Sequence, residues 1–110
     1  MPAGIWLHKF GEIVRDYFGH VAYQVGSSIE RKDWRDVDVR LMLPDDEFEA
    51  QFGKDLGTEG NPRLSAITLA FAALGKEMTG LPIDFQIQPV SYANDRYPGP
   101  RSALIETRER

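Results

Sequence analysis

Asp36 and Asp38 stand one residue apart in Arg35-Asp36-Val37-Asp38-Val39-Arg40, inside an apolar run. A strand over 36–43 puts Asp36, Asp38, Arg40 and Met42 on one face and Val37, Val39, Leu41 and Leu43 on the other. Burying the apolar face then leaves two like charges side by side on the opposite one. Such a pair repels unless a cation sits between the acids, and oxygen donors of this kind are what Mg²⁺ accepts when phosphates complete its shell. Just upstream, Val25-Gly26-Ser27-Ser28 offers backbone N–H groups and hydroxyls with no bulky side chain in the way. Together they read as a phosphate cradle beside a metal site.

A third acid recurs in Ile83-Asp84-Phe85-Gln86-Ile87-Gln88, where alternation places Asp84, Gln86 and Gln88 on one face. Taken alone, that face is explained by contact with water. Beside the Asp36/Asp38 pair it supplies a further carboxylate. Arg31, Lys32 and Arg35 fill the spacer between cradle and acids. A solvated loop accounts for them, and so does a position facing a triphosphate. Ser27 and Glu30 have the spacing of a capping box, which is compatible with an anion-binding helix start. Trp34 fits packing beneath the loop better than a place near a base.

The elements that must position these residues follow from periodicity. Trp6, Phe10, Ile13, Val14, Tyr17 and Phe18 form the stripe of a helix over 5–18, stopped by Gly19. Residues 21–25 read as a strand ending at Gly26. Pro44 closes the second strand and opens a short helix to Phe52, with Phe48 and Phe52 on one face. Its acidic first turn suits the positive end of a helix, so Asp45, Asp46, Glu47 and Glu49 stay outside the site. Residues 53–60 read as a loop, better as a plain connector than as a lid. Asn61-Pro62 caps and starts a helix carrying Leu64, Ile67, Phe71, Leu74 and Met78, which Gly80 ends. Gly75 within it suggests close packing. Residues 91–100 are expected to hold a helical turn before Tyr97-Pro98-Gly99-Pro100, and 101–110 a weak helix or a frayed end. The order describes one α+β domain over 1–110, with a core at about 5–90 and a tail at 91–110. A small mixed sheet carries helices on one face, the acids on the other.

The order apolar-Gly-Ser, spacer, Asp-apolar-Asp-apolar resembles the signature of the polymerase-β-like nucleotidyltransferase superfamily, in particular its minimal members. Such proteins place a third carboxylate on a later strand, as Asp84 does here. The resemblance implies metal-dependent nucleotidyl transfer from a nucleoside triphosphate to an acceptor hydroxyl. It implies that Asp36 and Asp38 hold Mg²⁺ or Mn²⁺ and that Asp84 completes the site on the attacking side. Gly26, Ser27 and Ser28, with Lys32 and Arg35 near them, would bind the nucleotide, for instance ATP. Minimal members often work beside a helical partner protein, so a protein partner or a second copy is expected, with Tyr92 and Tyr97 as contact points. A different reading keeps the acids in a non-catalytic nucleotide- or metal-binding subunit, antitoxin-like or regulatory, of a larger assembly. A metal-dependent nuclease fits less well, since Asp84-Phe85-Gln86 lacks the lysine of the usual Glu-x-Lys arm.

Composition narrows the classes. The 110 residues carry 17 acids against 13 Lys and Arg, a net charge of −4. That balance argues against general affinity for nucleic acid. With no cysteine, neither disulfides nor thiolate metal sites exist. The run from Leu64 to Gly75 is too short to span a bilayer. His8 and Lys9 interrupt the place of a signal-peptide core, so a cytoplasmic location is the expectation. His8 and His20 do not make a zinc site.

Overall fold

Val37, Val39, Leu41 and Leu43 are fully buried, and the alternation of their strand is what the rest of the chain packs upon. The computed structural model describes residues 3–26, 36–54, 60–96 and 98–105. In chain order the elements are α1 (Ala3–Phe18), β1 (Ala22–Val25), β2 (Val37–Leu43), α2 (Asp45–Phe52), α3 (Pro62–Thr79), β3 (Ile83–Pro89), α4 (Val90–Arg96) and β4 (Arg101–Ala103). The strands form one mixed sheet in the order β3-β2-β1-β4. β2 pairs with β3 in parallel, whereas β1 runs antiparallel to both β2 and β4. A parallel pair needs a crossover, and α2 and α3 supply it. The fold is thus α+β around a small mixed sheet, as the order of apolar periods implies, with four helices among the described residues where that order gives three.

The core lies between the apolar sheet face and α1 and α3. Phe85 of β3 meets Phe10 of α1 edge-on at 5.9 Å between ring centroids and Phe71 of α3 at 5.8 Å. Gly75 lets these elements close. A Cβ there would stand 3.0 Å from Ile83 Cγ1 and 3.2 Å from Phe10 Cζ, so tight packing offsets the ~1 kcal/mol that glycine costs inside a helix. α3 starts and stops where its sequence says. Asn61 Oδ1 accepts from Leu64 N at 3.2 Å, Pro62 follows, and Gly80 ends the helix in the left-handed region at φ +77°.

Three expectations change. The buried stripe of α1 is Leu7, Phe10, Gly11 and Val14, while Ile13 and Tyr17 are exposed. The cause is Gly11: a Cβ there would overlap Leu104, so α1 turns its glycine, not its aromatic residues, to the incoming chain. The segment from 101 is a strand rather than a weak helix or frayed end. β4 covers the free edge of β1, Leu104 N donates to the Ala22 carbonyl at 2.9 Å, and Leu104 is fully buried. Burial of one leucine and a run of ladder bonds outweigh the low strand propensity of Arg-Ser-Ala. The turn expected after Ser91 is a full helix, α4, that follows β3 directly. Arg101 pairs with Val25 and so shares its face of the sheet, and its Nη2 donates to the Ala93 carbonyl at 3.3 Å. α4 therefore reaches the face that α1 and α3 leave open, and Met42 and Gln88 at that end are buried. Asp45 ties α2 to α4 by accepting from Ser91 N at 3.1 Å. The Ser91 hydroxyl and this amide hold the Asp45 carboxyl below its ordinary range.

Candidate functional site

Parallel pairing in register brings the acids together. Val37 faces Ile83, Asp38 faces Asp84 and Arg40 faces Gln86. Residues paired in this way share a face, so Asp38, Arg40, Asp84 and Gln86 lie on the open side, opposite the core. On its other flank Asp38 pairs with Val25, the last residue of β1. Gly26 follows at φ +79°, a conformation open to glycine and costly for other residues. A Cβ on Gly26 would stand 3.0 Å from Asp38 Oδ2. The glycine of the expected cradle therefore rests against Asp38, the second acid of the expected metal site. Asp36 precedes β2 and is exposed.

The electrostatics record how close the acids are. Burial raises the Asp38 carboxyl above its ordinary range, Arg40 opposes the rise, and Asp84 and Asp36 add to it. Asp84 adds both through its charge and as hydrogen-bond partner of the protonated Asp38. Three carboxylates thus share one electrostatic neighbourhood at one end of the sheet.

Arg40 is the counter-charge within it. Its Nη1 donates to the Asp84 carbonyl at 2.9 Å and to the Val39 carbonyl at 3.1 Å, and its Nη2 lies 3.4 Å from Asp84 Oδ2. Gln86 Nε2 donates to Asp84 Oδ1 at 3.2 Å, and Gln88 Nε2 to Gln86 Oε1 at 3.3 Å. The polar strip of β3 is therefore a hydrogen-bonded row that ends on Asp84. Since half of the Asp84 side chain is exposed, its ion pair with Arg40 is worth about 0–1 kcal/mol. A divalent ion or a phosphate can compete with it.

Among the described residues no three His, Cys, Asp or Glu side chains converge as a ready-made metal cage. The donor set still suits a hard cation. Asp38 and Asp84 carry oxygen donors on adjacent strands, the charge of Asp84 adds to the rise of Asp38, and Mg²⁺ takes only one or two protein carboxylates where phosphates supply the remainder. Ser27, Ser28, Lys32 and Arg35 of the expected nucleotide side lie outside the described residues, as do Arg31, Trp34 and Tyr97. Tyr92 is half-buried, with the Arg96 guanidinium 5.1 Å from its ring centroid.

Two site residues escaped the sequence reading as functional groups: Arg40 and Gln86. Their signal was present in the same alternation that found the acids, since Arg40 is two residues beyond Asp38 and Gln86 two beyond Asp84. His20 and Glu47, 2.7 Å apart, form a separate contact between the end of α1 and α2. Compared with known protein families, curated proteins and solved structures, the chain matches none.

Proposed function

We propose that this protein transfers a nucleotidyl group from a nucleoside triphosphate to an acceptor hydroxyl, with Mg²⁺ or Mn²⁺ as cofactor. The observation that carries the reading is the Asp38–Asp84 register pair with Gly26 seated against Asp38. Carboxylates and an unhindered turn are what a metal-bound triphosphate needs on adjacent strands. In the reaction the acceptor oxygen forms a bond to the α-phosphorus, the bond from that phosphorus to the α,β-bridging oxygen breaks, and pyrophosphate leaves. The hydroxyl proton passes to a carboxylate of the acid pair, and the greater exposure of Asp84 supports giving it that role.

Asp36, Asp38 and Asp84 would hold the metal, which would neutralise charge on the attacking and leaving oxygens. Gly26 keeps space above Asp38 for phosphate oxygens. Arg40 holds Asp84 in place and moderates the repulsion among the acids. The same arginine supports a second reading, a nucleotide- or metal-binding subunit without turnover, because it already partly neutralises Asp84.

One experiment separates the two. Purified protein is incubated with Mg²⁺ and each α-labelled nucleoside triphosphate, with and without cell extract, while binding is followed by thermal shift. Label on a macromolecule or small acceptor that is lost in Asp38→Asn supports transfer. A shift without label supports the binding subunit. No shift and no label at millimolar ligand overturns both.

A further inference from the structure

β3 is the terminal strand of the sheet, and between it and α3 lies a groove of ≈ 520 Å³. Leu64, Leu69 and Ala72 of α3 line one wall, β3 lines the other, and Tyr92 of α4 also takes part. Leu69 on this wall is 67% exposed. The groove is not a berth for another strand. Val37 N donates to the Pro82 carbonyl, so Ile83, Phe85 and Ile87 turn their backbone groups away from β2. Those three residues are only 9%, 2% and 4% exposed, so the groups an added strand must bond are already covered. What stands open is a space lined by side chains.

Among the described residues the lining is apolar or neutral with one exception, Asp84. No Lys or Arg stands in it, so the groove does not suit phosphates or other anions. Thr68 and Gln88 also line it, and each keeps a buried side-chain oxygen with no partner among the described residues. Gln88 is only 6% exposed, and its Nε2 is already given to Gln86 Oε1. Buried polar groups are ordinarily paired. A ligand that carries O–H or N–H groups into the groove supplies what these two oxygens lack.

The place of the groove gives it a role that rests on the nucleotidyl transfer proposed above. Gly26 flanks Asp38 on the β1 side, and Asp84 flanks it on the β3 side. In displacement at phosphorus the entering and leaving oxygens lie roughly in line, on opposite sides of the α-phosphorus. With the β- and γ-phosphates over Gly26, pyrophosphate leaves toward β1. The acceptor then enters from the β3 side, where Asp84 belongs both to the acid pair and to the lining of the groove. We infer that the groove is the acceptor subsite and that the acceptor is a small alcohol with an apolar body, uncharged or cationic. Its body lies against Leu69 and Ala72, its further donors meet Thr68 and Gln88, and its hydroxyl reaches the α-phosphorus. The new oxygen–phosphorus bond forms as the bond to the α,β-bridging oxygen breaks, and Asp84 takes the hydroxyl proton. A nucleic-acid end does not fit, because it brings phosphates to a wall that has no base to meet them.

The test uses alcohols that share one body and differ in charge: benzyl alcohol, para-(aminomethyl)benzyl alcohol and para-(hydroxymethyl)benzoate. Each is added with Mg²⁺ and α-labelled nucleoside triphosphates, while binding is followed by the NMR signals of the Thr68 methyl and the Gln88 side-chain amide. The first two bind and take label, and the carboxylate does so about tenfold less well. Thr68→Val keeps the shape of the side chain and removes the hydroxyl. It raises the KM of the acceptor a few-fold and leaves the KM of the nucleotide alone. Its urea midpoint does not fall, since the oxygen removed has no partner among the described residues. Leu69→Arg, at an exposed helix position, reverses the preference in favour of the carboxylate. Signals that none of the alcohols moves overturn the inference. So does a charge preference that Leu69→Arg leaves unchanged, or label found only on an oligonucleotide. Moved signals without cleavage of any nucleotide, with water included as acceptor, keep the alcohol site and sink the transfer reading alone.

Discussion

Asp38 lies directly opposite Asp84 across the parallel β2–β3 pair, and the Asp38 carboxyl is raised above its ordinary range. Both facts have one source. The alternation that buries Val37, Val39, Ile83 and Phe85 leaves the acids no other face. On the open face burial first, and then the charges of Asp84 and Asp36, raise Asp38 against the opposing pull of Arg40, and a bound cation would favour its ionised form.

The first prediction follows from the sign of that shift. A carboxyl raised in the folded protein binds its proton more tightly folded than unfolded, so ionised Asp38 opposes folding. The opposition is complete above the folded pKa, fades as pH falls through it, and is gone below the ordinary value of 3.8. Asp38→Asn should therefore raise the melting temperature of the metal-free protein at pH 7. The gain should shrink as the pH approaches 3.8. Thermal unfolding of both proteins across that range is the check, and a variant less stable at pH 7 would contradict it.

Two glycines give a matched comparison. Gly26 and Gly80 have nearly the same backbone, φ +79° and +77°, but an added Cβ meets Asp38 at the first and nothing within 4 Å at the second. Alanine at either position carries the left-handed penalty of about 1–2 kcal/mol. Both variants should lose similar stability in urea. Only Gly26→Ala should also weaken the stabilisation given by Mg²⁺ with a nucleoside triphosphate. Equal loss of ligand response in both would show that Gly26 affects the fold alone.

How far the sequence spoke depends on the kind of signal. α3 could be read to the residue because Asn61, Pro62 and Gly80 are local devices, each acting through its own backbone. The acids could be read because a period of two is also local. That Asp38 and Asp84 are partners needed the register of β2 on β3, which depends on the core and on the length of the crossover. β4 left no sign at all. Arg-Ser-Ala has neither alternation nor propensity, and it is a strand because β1 offers an edge and Gly11 a place for Leu104. The buried face of α1 departs from its aromatic period for the same reason, since a glycine on that face carries no hydrophobic signal.

Leu104 offers the test of that docking. It is fully buried and packs against Gly11 of α1. Leu104→Ala should cost about 2–5 kcal/mol in chemical denaturation, the range for a buried leucine truncated in a core. Gly11→Ala should destabilise as well, although alanine is the better helix former, because its Cβ overlaps the same residue. A stabilised Gly11→Ala protein would mean that the tail is not held there.

Arg40 decides between an acid site kept ready and one kept neutral. It bonds the Asp84 carbonyl, approaches the Asp84 carboxylate at 3.4 Å, and is the influence that lowers Asp38 against the pull of burial. Arg40→Gln keeps the length and a hydrogen-bonding head but removes the charge. Asp38 should then rise further, since burial, Asp84 and Asp36 act on it unopposed. The metal-free protein should lose stability at neutral pH and recover part of it on acidification, because protonating Asp38 removes the repulsion. The response to a cation should move the other way. With the guanidinium gone, Asp38 and Asp84 lose the positive charge that Arg40 sets against them, so Mg²⁺ alone should raise the melting temperature of Arg40→Gln more than that of the wild type. The two proteins are compared by thermal unfolding with and without millimolar Mg²⁺, at one ionic strength fixed with a monovalent salt. Equal increments would mean that Mg²⁺ does not engage the carboxylates that Arg40 faces.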